Sequence, residues 1–427
     1  MAEPPPPLPP TTLEDLPVDL QRLILIRIPC AVDRGRMSLV CRAWRDAIRR
    51  HRAKLVGRLF QQPPPLSWLL LRAPSPLGLA LGPARAACAL SGGRVHHFLD
   101  VAPPHARFFG SHDGAWLLLD AAANPRNADA SAHRAVNVRT GAVRDFPQEV
   151  ALGPTEEYVR RMLIHAAALS SSPDDARCVG YAIVTSFRNP TIFLPDRQRR
   201  RGIALWVAGS PQAINVEPPF QGVGDVDAED VIYLRHSGAF AFVTRAGHLR
   251  LSKPVWRQHN SPRGAKWLTR RFRPHVGPDV RTRYLVVSGG ELLMVVRFMP
   301  HPDHQPASKF KVFRVIERNS ADADANDFPV AEYPWAWSEL DTLGGRMLFV
   351  GHGCSRSYKV DEYPGFEAGI YFLDDGIFYA DSVIFGIGDA RRYPCSDNGK
   401  WTEDGHVQRC FPRSGPSHHS APVWLLP

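Results

Sequence analysis

Residues 13–48 read LEDLPVDLQRLILIRIPCAVDRGRMSLVCRAWRDAI. Pro17 suits a first helical turn, because the N–H it lacks has no helical partner there. Leu20, Leu23, Ile24 and Ile28 follow at spacings of three and four, which places them on one helical face, and Pro29 ends the run. A second series, Met37, Val40, Cys41, Trp44 and Ile48, has the same spacing, with arginines 42, 45, 49 and 50 left to face water. A unit of about 40 residues is near the lower limit for independent folding. This one carries more apolar surface than it can bury by itself, so part of it is expected to be covered by a partner or by the rest of the chain.

The flanks differ in kind. Residues 1–12, MAEPPPPLPPTT, are a proline-rich leader expected to be disordered or polyproline II, with neither the basic nor the apolar region of a secretory signal. Residues 51–79 form a basic and then proline-rich bridge in which Pro63–Pro65 end any helix, and Trp68–Leu71 is the first candidate strand. From about residue 80 to 427 the pattern becomes short apolar runs broken by glycine. Examples are ACALSGGRVHHFL, GSHDGAWLLLD, VIYLRHSGAFAFVT, YLVVSGGELLMVV, LDTLGGRMLFVG and IYFLDDGIFYAD, each with the look of two strands around a tight turn. Gly238, Gly290 and Gly345 recur at about 50–55 residues, and Gly114 stands about two periods upstream, a spacing that suits the four-stranded blades of a propeller. A large β-sandwich is the other architecture this pattern allows. The expected fold class is mainly β with a small all-α N-terminal domain.

Composition narrows the classes. The 427 residues are 44% hydrophobic and 22% charged, which supports a sizeable core. The 40 prolines disfavour long helices and central strands. A net charge of +10 is compatible with an acidic partner but is equally met by a solvated, arginine-biased surface. Seven cysteines, none in a C-x-x-C pair, argue against a disulfide framework or zinc ribbon and for a reducing compartment. No apolar run approaches 18 residues, so the expectation is a protein of the cytoplasm, the nucleus or both, with no membrane partner.

Two resemblances follow from particular residues. Leu16-Pro17, Ile24, Ile28 and Val40-Cys41-Arg42-Ala43-Trp44-Arg45 resemble an F-box, with its leading L-P and its V-C-x-x-W-R signature. The resemblance implies docking onto the Skp-type adaptor of an SCF ubiquitin ligase through Leu16, Pro17, Leu20, Ile24, Ile28, Met37, Val40, Cys41 and Trp44. Arg34-Gly35 departs from the pattern, where two apolar residues are usual. Glycine inside a helix costs about 1 kcal/mol relative to alanine, so a late-starting second helix or weaker binding is expected. Farther on, FGSHDGAWLLLD (109–120) and VNVRTGAVRDFP (136–147) resemble a strand pair of plant F-box proteins that carry a KIB-type, degenerate kelch-like β-propeller. Asn137 and Thr140-Gly141 match part of that pattern and Val138 replaces its proline. The segments 230–249, 309–319, 337–360 and 369–375 continue the likeness, clearest over 80–385, and VWLL at 423–426 is a candidate closing strand.

Catalytic chemistry is not evident. There is no G-x-S-x-G, no G-x-x-x-x-G-K-[ST] and no H-E-x-x-H. GVGDVD (222–227) and GIGDAR (386–391) read as turns rather than dinucleotide loops, and ADADAND (321–327) lacks the glycine and glutamate of a calcium loop. Cys395, His406 and Cys410 have no zinc-like spacing. The basic run Arg197–Arg201 is compatible with a nuclear-localisation patch or a docking site for an acidic partner, and equally with a solvated loop between the strands TIFL and IALWV. Residues 255–274 interleave Trp256 and Trp267 with arginines, as a nucleic-acid surface does, but packing is the expected use of those rings. No catalytic residue, cofactor or metal is implied. The expected role is the non-catalytic substrate receptor of a ubiquitin ligase, with a protein target on the β domain. The alternatives are an F-box scaffold acting outside a ligase and a propeller that binds a small ligand.

Overall fold

Alternating apolar and polar residues around glycine turns make hairpins, and hairpins in series make most of this molecule. The computed structural model describes residues 16–54, 66–72, 84–88, 94–97, 102–121, 132–152, 159–187, 200–216, 227–256, 262–272, 279–299, 309–319, 329–376, 383 and 392–426, less residues 27, 29, 104, 364, 413 and 414. The proline-rich leader, Pro29, Pro63–Pro65, GVGDVD up to Val226, GIGDAR and ADADAND lie outside the described residues. The chain divides into two units, residues 1–66 with 361–366, and residues 67–360 with 367–427.

The larger unit is a ring of five open sheets and one small closed barrel. The first sheet holds β1 (Trp68–Arg72), β2 (Ala84–Cys88) and β3 (Arg94–His97), and the second β4 (Arg107–His112), β5 (Trp116–Asp120), β6 (His133–Asn137) and β7 (Val143–Asp145). The barrel is β8 (Glu149–Ala151), β9 (Val159–Leu169), β10 (Val179–Phe187), β11 (Arg200–Val207) and β12 (Gln212–Asn215). Two meanders follow: β13 (Ala228–Leu234), β14 (Ala239–Thr244), β15 (Leu249–Trp256) and β16 (Pro262–Arg270), then β17 (Val280–Ser288), β18 (Glu291–Phe298), β19 (Phe310–Glu317) and β20 (Trp335–Glu339). The last sheet holds β21 (Arg346–Val350), β22 (Arg356–Lys359), β23 (Gly369–Phe372), β24 (Gly399–Trp401) and β25 (Val407–Gln408). The C-terminal strand β26 (Val423–Leu425) returns to pair antiparallel with β1, so the first sheet is built from both ends of this unit.

The ring closes between its last and first sheets. Trp424 of β26 is fully buried, donates its indole N–H to the Val350 carbonyl at 2.9 Å, and meets the Phe349 ring edge-on at 5.0 Å. Ser67, just before β1, shares a hydrogen bond with Tyr358 of β22 at 3.0 Å. Period-two alternation does the packing between neighbours: on β10, Ala182 and Val184 join Phe109, Trp116 and Leu118 of the second sheet, whereas Tyr181 and Ile183 join Val231, Phe240 and Phe242 of the next meander.

Single residues explain the turns. Asn137 accepts from the backbone N–H groups of Arg139 and Thr140 and donates to the Gly114 carbonyl, and Gly141 takes φ +74°, which shapes the β6–β7 turn. Val138, where the resembling pattern has proline, donates its backbone N–H to the Ala115 carbonyl at 2.9 Å, a bond proline has no hydrogen to make. Gly353 is held at φ +65°, and a Cβ there would stand 2.6 Å from the Ala167 carbonyl oxygen across the ring, so only glycine fits.

Several expectations are corrected. LDTLGGRMLFVG is not a hairpin: only β21 is a strand, and Leu340 instead donates its N–H to the Val312 carbonyl while Gly344 and Gly345 turn the chain from one sheet into the next. In IYFLDDGIFYAD, β23 pairs parallel with β21 rather than folding back, and the second half lies outside the described residues. The β-rich unit starts at β1, ahead of the expected residue 80, because β26 needs a partner strand there. Arg200 and Arg201 belong to β11 rather than a loop, paired with Ser186 and Thr185. The tryptophans of 255–274 split: Trp267 packs partly buried beside Phe242, while Trp256 stays exposed at a sheet edge.

Candidate functional site

The helical unit holds α1 (Val18–Ile26), α2 (Ala31–Val40) and α3 (Arg42–Lys54). The Gln21 N–H bonds to the Pro17 carbonyl at 3.0 Å, so α1 starts where proline predicts. The second apolar series is not one helix: Cys41 is extended (φ −154°, ψ 173°), which breaks the run into α2, with Met37 and Val40, and α3, with Trp44 and Ile48. Neither does α2 start late. Arg34 and Gly35 lie inside it, and the Arg34 guanidinium donates to the Ile28 carbonyl at 3.0 Å, tying the helix to the preceding connection. Arg45 Nε does the same across the break, reaching the Ser38 carbonyl at 3.1 Å.

The interior of this unit is Leu25, Trp44, Ala47 and Ile48, with Leu16, Ile24, Met37 and Cys41 packed partly buried around it. Trp44 is 3% exposed, so it fills the core rather than the surface. Gln21 is also buried, and its side-chain amide donates to the Leu16 carbonyl at 3.0 Å. Outside this core stand Val18, Leu20, Leu23, Leu39 (75% exposed) and Val40 (68%), with Pro17 exposed beside them. Of the nine residues singled out from sequence, Pro17, Leu20 and Val40 are therefore exposed, Leu16, Ile24, Ile28, Met37 and Cys41 are half-buried, and Trp44 is interior. Sequence reasoning missed Leu25 as a core residue and Leu39 as an exposed one. The composition of α1, VDLQRLILI, was the available signal: a helix apolar on more than one side needs two surfaces to cover it. Arg42, Arg45, Arg49 and Arg50 of α3 face water as expected.

The ring's polar interior is a second cluster. Asp230 at the start of β13 accepts from the N–H groups of Val231, Leu285 and Gly353, each at 2.8 Å, and so pins three parts of the ring together. Burial outweighs these donors and pushes its carboxyl up to about 7. Arg283 and Glu229 form a buried pair at 3.1 Å. Arg297, fully buried, donates to the Leu373 carbonyl at 2.6 Å and to Asp397 at 2.7 Å. Its guanidinium lies 4.9 Å from the Phe372 ring centre. His112 is held down to about 4, by burial first and then by Arg235 and Arg356; burial also lowers His133, His165 and His352. Most of these groups are held by bonds to backbone or to neighbouring side chains, and those described do not form a nucleophile, base and orienter set. Among the described residues no group of three or more His, Cys, Asp or Glu stands together as metal ligands do, and no helix is long and apolar enough to cross a membrane. Cys395 is buried, its thiol donating toward the Ser420 carbonyl, while His406 sits beside Asp404 at the surface.

Comparison with known families agrees with both units. An F-box domain model matches residues 13–55, and the model described as the KIB1-4 beta-propeller matches residues 89–398. No curated protein matches the chain. The propeller match leaves out β1, β2, β24, β25 and β26, so the strands that close the ring flank the matched segment. An F-box implies a Skp-type adaptor as its partner. With an F-box at its start and most of its length matched by the propeller model, the chain belongs to the family of F-box proteins that carry a KIB1-4 β-propeller.

Proposed function

We propose that this protein is the substrate-receptor subunit of an SCF-type ubiquitin ligase, its helical unit docking on the Skp-type adaptor and its propeller holding a protein target. The observation that carries the reading is the split within the helical unit. A filled interior around Trp44 leaves Val18, Leu20, Leu23, Leu39 and Val40 exposed on a unit too small to hide them. In this reading Pro17, Leu20 and Val40 contact the adaptor directly, Leu16, Ile24, Ile28, Met37 and Cys41 form the half-buried floor beneath them, and Trp44 holds the three helices in place. Leu23 and Leu39 extend the contact.

The mechanism is positional. The protein performs no bond chemistry; it raises the effective concentration of a target lysine near a charged conjugating enzyme, as two linked binding sites do. The family to which the chain belongs supports a non-catalytic role. The test is isolation of tagged protein from cells together with its partners. The adaptor and a cullin are expected in the eluate. Recovery of the adaptor without a cullin would favour a scaffold acting outside a ligase, and recovery of neither would refute the proposal.

A further inference from the structure

A cavity of about 370 Å³ lies among the inner strands of the ring. Its walls come from the inner strands β4, β9 and β17, from the segments around residues 352–354 and 373–376, and from the chain leading into β26. That volume lies within the range of small-molecule sites. Phe109, Leu373 and Val423 give it apolar walls, and Arg107, His165 and Tyr393 give it polar ones.

Two of the polar groups are incompletely bonded. Arg107 is 5% exposed and donates one guanidinium N–H to the Ile164 carbonyl at 2.5 Å, but its Nε–H has no hydrogen-bond partner among the described residues. Tyr393, 6% exposed, is anchored by paired backbone bonds with Ser417, yet its hydroxyl also has no partner there. A buried donor without an acceptor costs about 1–3 kcal/mol, and folded proteins rarely leave two around one cavity unless something fills it.

The charges around the cavity select what that something is. Arg281 is neutralised by Asp374 at 3.3 Å. Asp375 already accepts from the Tyr284 hydroxyl at 2.9 Å, with His352 at 3.6 Å and Arg297 at 3.8 Å. Neither Arg107 nor Arg392 has a carboxylate partner among the described residues; Arg392 is exposed to water, so Arg107 is the buried charge left uncompensated. The His165 ring is already engaged with the Thr185 hydroxyl at 2.6 Å. We infer that this cavity binds a small organic anion, an apolar body bearing a carboxylate or phosphate that accepts hydrogen bonds from Arg107 and the Tyr393 hydroxyl. A neutral or cationic molecule of the same size leaves the guanidinium unmatched.

Benzoate and phenyl phosphate, titrated into the full chain by calorimetry, test this, with benzyl alcohol and benzylamine as neutral and cationic controls. At least one anion is expected to bind saturably with one site and at least tenfold more tightly than benzyl alcohol. Benzoate alone identifies a carboxylate, phenyl phosphate alone a phosphate, and binding of both supports the shared oxyanion chemistry. Tyr393→Phe removes a hydroxyl that makes no hydrogen bond among the described residues, so it is expected to leave the thermal midpoint unchanged while weakening the anion about tenfold. Arg107→Met is expected to abolish saturation. Failure of both anions to saturate, equal binding of benzyl alcohol, or unchanged anion affinity in Tyr393→Phe would each overturn the inference.

Discussion

Within a few residues of each other, Trp44 and Val40 do opposite work. Trp44 sits in the core with Leu25, Ala47 and Ile48, whereas Val40, at the end of the preceding helix, is among the most exposed apolar residues of the unit. The extended backbone at Cys41 separates the two roles, because it turns α3 so that the second half of one apolar series points inward. Replacing Trp44 by alanine is expected to cost about 3–5 kcal/mol, enough to unfold so small a unit and to be seen as loss of its helical circular dichroism. Gly35 is a different case. It lies mid-helix, and a Cβ there meets nothing within 4 Å, so Gly35→Ala is expected to stabilise the helical unit by up to about 1 kcal/mol in chemical denaturation. A loss of stability would contradict the open space beside Gly35. The departure at Arg34-Gly35 therefore weakens α2 modestly without shortening it.

Among the elements, β26 has the largest consequence for its size. Three residues pair with β1, and Trp424 alone bridges to Val350 and Phe349 of the last sheet. Trp424→Ala is expected to lower propeller stability by about 3–5 kcal/mol, read as a fall in thermal midpoint, and removal of residues 421–427 to abolish cooperative unfolding of the ring. A truncated chain that melted like the intact one would contradict closure by this strand. Much of this architecture was legible beforehand. The hairpins at Gly114, Gly238 and Gly290 are real and sit in the sheets that their spacing implies, and VWLL was a candidate closing strand. What was not legible has a common cause. LDTLGG and IYFLDDG have hairpin composition, but their partners come from far along the chain: β23 pairs parallel with β21, and Leu340 bonds to Val312. Local turn chemistry carries no record of such long-range pairing. The helical surface was read in the same way, by spacing alone, which located an apolar excess but did not say that Leu25 would take the inside and Leu39 the outside.

For the molecule as a whole, the buried titratable groups set a pH dependence. His112, with its pKa near 4 against an ordinary 6.5, and His133, His165 and His352, lowered by burial, stabilise the ring fully above about pH 6.5. The contribution of His112 is lost as pH falls from there toward 4, and those of the other three as pH falls below the ordinary histidine range, because the unfolded chain then binds protons that the folded ring excludes. His112 alone accounts for about 3 kcal/mol over that window. Asp230, raised to about 7, works in the opposite sense, contributing stability below about pH 4 that is lost as pH rises through 7. Glu229, whose carboxyl burial also raises, works in the same sense as Asp230. Four histidines outweigh two carboxyls, so the thermal midpoint of the ring is expected to fall between pH 7 and pH 5, and a flat or rising midpoint would count against the buried neutral histidines. In the proposed function the two units act as a tether: a helical clip with surplus apolar surface and a closed platform braced by buried charges. The central claim is that the exposed residues of the clip meet an adaptor, and calorimetric titration of a Skp-type adaptor into the full chain tests it most directly. The account predicts one-to-one binding by the native chain. The double variant Leu20→Asp with Val40→Asp, which alters only exposed positions, should bind about 100-fold more weakly, the loss of roughly 3 kcal/mol of apolar burial, with an unchanged thermal midpoint. A native chain that fails to bind, or a double variant that binds as tightly as the native chain, would contradict it.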